Sequence, residues 1–229
     1  MAEAKPLKVS RKALREPDEF QVLTTQVFDW IRENQSALIG IVSALIAVGA
    51  ILIGVNWYGQ RQTEAAAARF TKAQSMFDEK KYADAAAEFD AVATAYPRTA
   101  SGRLARLYRA HALAHQPDPA GASTAYADYL DSNPPTDYLR QEALVGLGHT
   151  AEAKSDANAA MDAYRQAIDA GGPFTTEARL ALARLEEAGG NAEKARQLYA
   201  DVLQSADLDP DTRQELSAKV PSAPPTPAQ

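Results

Sequence analysis

Residues 37–55 read ALIGIVSALIAVGAILIGV, 19 positions without a charged side chain. The stretch contains Ser43 and the glycines Gly40, Gly49 and Gly54. At a helical rise of ~1.5 Å per residue it extends ~28 Å, close to the ~30 Å hydrocarbon core of a bilayer. Backbone groups at that depth find no water, so a single segment there has to be helical. Trp30 and Arg32 precede it, and Trp57, Tyr58 and Arg61 follow, an end pattern suited to a membrane interface. The rival is a core helix of a soluble protein, which seldom lacks charge on every face for this long. A signal-peptide core is shorter and nearer the N-terminus, so the segment is expected to be an uncleaved anchor. Lys5, Lys8, Arg11, Lys12 and Arg15 ahead of it predict a cytoplasmic N-terminus, since Lys and Arg set orientation while acids contribute little.

The remainder has the balance of one globular domain, with 46% hydrophobic and 24% charged residues and a net charge of −6. The acidic balance argues against a nucleic-acid partner. The absence of Cys excludes disulfides, thiol catalysis and thiolate metal sites. Residues 1–19 are polar, contain Pro6 and Pro17, and are expected to be a disordered cytoplasmic tail. In residues 20–36, Phe20, Leu23, Val27, Trp30 and Ile31 share one helical face opposite Asp29, Arg32 and Glu33. This predicts an amphipathic juxtamembrane helix, lying on the membrane, packing on a partner or continuing into the transmembrane helix at 37–58. Within that span, Gly40 with Ala44 and Ala50 with Gly54 are spaced for close helix approach.

Beyond Gln60 the pattern is helical and repetitive. Ala85, Ala122, Ala160 and Ala195 recur after 37, 38 and 35 residues. An aromatic follows each by four positions (Phe89, Tyr126, Tyr164, Tyr199), and a small residue precedes each by twelve (Ala73, Ala110, Gly148, Ala183). This spacing predicts antiparallel helix pairs. The small residues permit close crossing, and the aromatic fills the gap toward the neighbouring pair. Turns are expected at 78–81, 116–119, 155–158 and 189–191, and breakers at Pro97, Pro134-Pro135, Gly171-Gly172-Pro173 and Pro210. Asp209 as N-cap with Pro210 at the first helical position starts a short capping helix carrying Leu216. The Pro-rich residues 220–229 are expected to be disordered.

Small–(12)–Ala–(4)–aromatic resembles the tetratricopeptide repeat, over about residues 63–219 of this chain. The closest match is residues 141–148 (QEALVGLG), with Leu144, Leu147 and Gly148 at signature positions. Arg69, Arg106 and Arg179 stand where that family often has Trp. The reading is therefore all-α: an N-terminal transmembrane helix, then an α-solenoid of about four helix pairs with a capping helix, in a repeat domain at 59–219. The whole layout (charged tail, FDWIRENQ segment, Gly-rich span, Trp-Tyr exit, divergent repeats) resembles the YfgM-like family of ancillary SecYEG translocon subunits. That resemblance implies an inner-membrane protein with periplasmic repeats, and as partners the translocon and periplasmic chaperones or their client chains. Alternatives are a scaffold of another envelope assembly complex, or an organellar import receptor with cytosolic repeats.

No phosphate loop, dinucleotide fingerprint, HExxH or GxSxG is present, so no enzyme, cofactor or small-molecule substrate is expected. His111 and His115 share a helix face and His149 lies in the matching helix of the next unit. Three imidazoles suffice for zinc, although such pairs commonly arise without ligation, and no metal is expected. Resemblance to tetratricopeptide domains implies that the first helix of each pair lines a concave groove. The residue after each small first-helix position is polar (Gln74, His111, His149, Arg184), a candidate ladder for a partner's backbone. Phe70, Leu107, Val145 and Leu180, four residues earlier, form a candidate apolar strip; the alternative is that they are interhelical core. Arg103, Arg106 and Arg109 form a drifting basic stripe, either solvated or able to hold a partner carboxylate.

Overall fold

The computed structural model describes residues 19–117, 120–205 and 208–220, with side chains from residue 24 onward. Ten helices and no strand occur among these residues. The expected tails lie outside them, apart from Glu19 and Val220, as do the basic residues used for orientation and part of the turn at 116–119. The chain divides into two compact units, Met1–Gln60 and Arg61–Gln229.

In the first unit, α1 (Glu19–Glu33) stops at Asn34. The Asn34 side-chain amide and backbone N–H both donate to the Trp30 carbonyl, at 2.8 and 3.0 Å. The Asn34 carbonyl in turn accepts from the Leu38 N–H at 2.9 Å, so the backbone ladder runs on through this turn. Helix α2 (Gln35–Asp78) begins immediately after and has no break where the apolar stretch ends. It is the one helix among the described residues long and apolar enough to cross a membrane. Its apolar part is not a core helix of this fold: Ile39, Leu45, Ile51 and Ile53 are all exposed.

The second unit begins within α2. It continues through α3 (Tyr82–Ala95), α4 (Ala100–Ala114), α5 (Ala120–Asp131), α6 (Asp137–Ala153), α7 (Ala157–Ala170), α8 (Thr175–Ala188), α9 (Ala192–Leu203) and α10 (Pro210–Lys219). The pairs are α4/α5, α6/α7 and α8/α9, with α10 packed on α9, and the end of α2 pairs with α3 through Ala73, Phe70 and Phe77 against Ala85, Phe89 and Tyr82. Three first helices end alike. Lys80, Ser155 and Gly190 adopt positive φ (61°, 58° and 82°), and the next residue's N–H reaches back to Met76, Ala151 and Glu186 at 2.9, 2.9 and 2.8 Å. This left-handed closure satisfies otherwise orphaned carbonyls and reverses the chain into the second helix. Thr99, Thr136, Asp156 and Asp209 cap the starts of α4, α6, α7 and α10 through their side chains.

Every small, Ala and aromatic position of the repeat is buried. Phe89 and Tyr164 are fully enclosed. Burying a Phe side chain contributes about 1.5–3 kcal/mol. The aromatics are used in two ways. Tyr126 packs on Gly146 of the next pair, as the spacing predicts, whereas Tyr164 packs on Gly148 of its own pair. Gln141 is a fully buried polar residue that ties α6 to the α7–α8 connection. Its amide N–H groups donate to the Ala167 carbonyl and the Thr175 hydroxyl at 2.9 and 3.0 Å, and its carbonyl accepts from the Phe174 N–H at 3.0 Å.

Candidate functional site

The first helices α4, α6 and α8 carry two neighbouring cavities that share His149. One, of about 270 Å³, is lined by His115, Tyr126, Gly146, Thr150 and the ends of α4 and α6. The other, of about 430 Å³, lies between α6 and α8 and is lined by Pro173, Thr176, Glu177, Leu180, Arg184 and Ser205. Gly146 helps open the first: a Cβ there would meet the Tyr126 ring at 2.5 Å.

His149 joins three helices. Its Nε2 lies 3.0 Å from Glu177 Oε1 on α8, and its Nδ1 lies 2.9 Å from the Tyr164 hydroxyl on α7. That hydroxyl donates a short hydrogen bond to Glu152 on α6. The His149 hydrogen bond holds the Glu177 carboxyl below its usual range against the opposing effect of burial. Burial pushes the Tyr164 hydroxyl far above its usual range, reinforced by Glu152. The neutral phenol is thereby kept as a donor at the centre of the network.

Of the eight predicted groove residues, His149, Leu180 and Arg184 line the 430 Å³ cavity. His111 is mostly covered and sits 3.7 Å from Glu142 Oε1. Burial acts on both toward neutrality: it drives His111 down to about 4, with His115 adding to the effect, and raises Glu142. Gln74 is half-buried on α2. The apolar strip is not an open surface. Leu107 (0% exposed) and Val145 (5%) belong to core clusters, and Phe70 packs against Phe89 and Tyr108 at ring distances of 5.3 and 5.2 Å. These positions face the adjoining helices, which cover them before a partner can. Glu177, Thr176 and Ser205 complete the cavity. The period does not reveal them, because they come from the start of α8 and from the loop after α9, outside the matched positions.

His115 and His149 line the same cavity but have different partners. His115 stacks on Tyr82 at 4.7 Å and meets Phe77 edge-on at 5.4 Å. Among the described residues no group of three His, Asp or Glu is arranged to hold a metal ion.

The sequence matches the model of a tetratricopeptide repeat-like domain over residues 29–141 and that of a tetratricopeptide repeat over residues 145–211. The chain carries tetratricopeptide-repeat-like domains. Its fold is similar to a crystal structure of kinesin light chain nearly identical TPR-like repeats from Podosopora anserina. The TM-score is 0.55 at 14% identity, covering 69% of this chain and 84% of that one. At that identity the likeness concerns the fold alone. Comparison with curated proteins gives no significant match. Tetratricopeptide repeats imply a protein–protein interaction scaffold.

Proposed function

We propose that this chain is a membrane-anchored scaffold that receives a partner protein along the first-helix face of its repeats, at Gln74, His111, His149, Leu180 and Arg184. The observation that carries this reading is the pair of cavities flanking His149, the larger of which offers a carboxylate, a guanidinium and two hydroxyls beside Leu180. A peptide backbone needs such a mixture of donors and acceptors next to an apolar foothold. The membrane reading is supported by the uncovered apolar length of α2 and by its flanking Trp and Tyr residues. The finer proposal follows the YfgM-like resemblance: a single span in a bacterial inner membrane, N-terminus cytoplasmic and repeats periplasmic, serving as an accessory subunit of the Sec translocon that passes emerging chains to periplasmic chaperones. One of the family matches begins at residue 29, ahead of the apolar stretch, so span and repeats fit a single pattern.

Affinity purification of the intact protein from membranes in mild detergent, followed by mass spectrometry, tests both levels. Translocon subunits that are lost with Leu180→Asp are the expected result. Partners lost with that variant but free of any translocon subunit overturn the finer proposal. A partner set unaffected by Leu180→Asp and Arg184→Glu overturns the site.

A further inference from the structure

We propose a second binding site, on the opposite side of α4, for a peptide carboxylate. A cavity of about 350 Å³ lies between α3, α4 and α5, in the ~300–1,000 Å³ range of ligand pockets. Its walls are Ala93 and Pro97 on one side and Ala125 on the other, Tyr129 lies beneath, and Arg106 and Arg109 project from α4. His111 and Arg109, two residues apart, point to opposite sides of α4, because each residue turns a helix by about 100°. The cavity is therefore separate from the face that carries His149.

The basic stripe at 103, 106 and 109 divides into different roles. Arg103 turns back and donates to the Arg98 carbonyl at 2.8 Å. Arg109 pairs through Nε with Asp90 at 3.2 Å, leaving its terminal amino groups as donors. Arg106 is half-buried and forms no ion pair among the described residues. A partly desolvated guanidinium without an anion is an incomplete interaction, and the ligand that matches its planar fork is a carboxylate.

The other lining groups narrow the ligand class. Asp90 and Asp128 both face the cavity, so the lining has two positive and two negative charges. With Arg109 already paired to Asp90, the one guanidinium without a partner neutralises a single carboxylate but only half of a dianion such as a phosphoryl group. A peptide matches this lining: its carboxylate meets Arg106 and Arg109, and its N–H groups meet Asp128 and the Thr94 hydroxyl.

The test uses the full chain in detergent micelles and follows arginine Nε–Hε resonances by NMR. The probes are acetyl-trialanine with a free carboxylate, its C-terminal amide, acetyl-Ala-Glu-Ala-amide, and acetate alone. Saturable shifts of Arg106 and Arg109 with either carboxylate peptide, but not with the amide, are expected. The stronger of the two carboxylate peptides identifies a chain end or an acidic side chain as the source. Arg106→Gln should weaken binding about tenfold or more, and Arg106→Lys, which keeps the charge without the fork, by less. Arg103→Gln should leave binding unchanged. The proposal fails if the amide binds equally, if acetate binds as tightly as the peptides, if Arg103 shifts alongside Arg106, or if no resonance moves.

Discussion

Gly148→Ala is the sharpest probe of the helix-pair geometry. A Cβ at this position falls 2.4, 2.7 and 2.8 Å from three ring carbons of Tyr164. The ring has no room to retreat. It is fully buried, and its hydroxyl is engaged by Glu152 and by His149 at 2.9 Å. Forcing a methyl group into such a core costs about 1–3 kcal/mol, and displacing the ring weakens hydrogen bonds each worth about 1 kcal/mol. Against this, Ala gains up to about 1 kcal/mol over Gly in helix propensity. The net expectation is a loss of about 1–3 kcal/mol, or a fall in Tm of roughly 3–10 °C for a domain of this size. Thermal melts of the intact protein in detergent, followed by far-ultraviolet circular dichroism, measure it. Gly121→Ala is the control: its added methyl meets nothing nearer than 3.8 Å, so Tm should hold or rise slightly. Truncating the ring should relieve the clash, so Gly148→Ala combined with Tyr164→Leu should cost less than the sum of the single changes. A Gly148→Ala protein as stable as the Gly121→Ala control refutes the crossing described for α6 and α7.

Three other outcomes follow. Gln141→Leu leaves the Ala167 carbonyl and the Phe174 N–H without partners, so a loss of about 2–4 kcal/mol is expected, with faster hydrogen exchange at Phe174. Tyr129 is 1% exposed, its hydroxyl has no hydrogen-bond partner among the described residues, and burial pushes it up to about 12. Tyr129→Phe should therefore be neutral or stabilise by up to about 1 kcal/mol in urea titrations, whereas Tyr164→Phe should destabilise. His111 is held at about 4 against an ordinary 6.5, so the unfolded chain binds more protons between these values. Stability should fall as pH drops through that window, by at most about 3 kcal/mol. The difference between wild type and His111→Gln isolates this dependence from the raised Glu142, which acts in the opposite sense.

The repeat was legible because each of its three positions answers to a steric requirement. Where two backbones cross, only Gly or Ala fits, and Ala73, Ala110, Gly148 and Ala183 are all buried. The turns were legible through their Gly, Asn and Asp residues, and the capping helix through Asp209-Pro210. The apolar strip was harder to read, because Leu107 has the same residue type and spacing whether it meets solvent or a neighbouring helix, and only the packing of α4 on α5 and α6 decides that it is covered. Gln141 gave no signal, since a buried amide is recognisable only once the Ala167 carbonyl and the Phe174 N–H, distant in sequence, are brought to it. The two cavities at His149 combine residues from four helices (α4, α5, α6 and α8) and from the connections after α4, α7 and α9, which no single period connects.

The claim that the first-helix face is the binding surface is tested most directly by a photo-crosslinking residue placed at Thr176, which lines the His149 cavity, and in a second protein at Gln166, exposed on α7. In intact membranes, discrete protein crosslinks from Thr176 that disappear in the Arg184→Glu background, with none from Gln166, are predicted. Crosslinks of equal yield from both positions, or from Gln166 alone, contradict it.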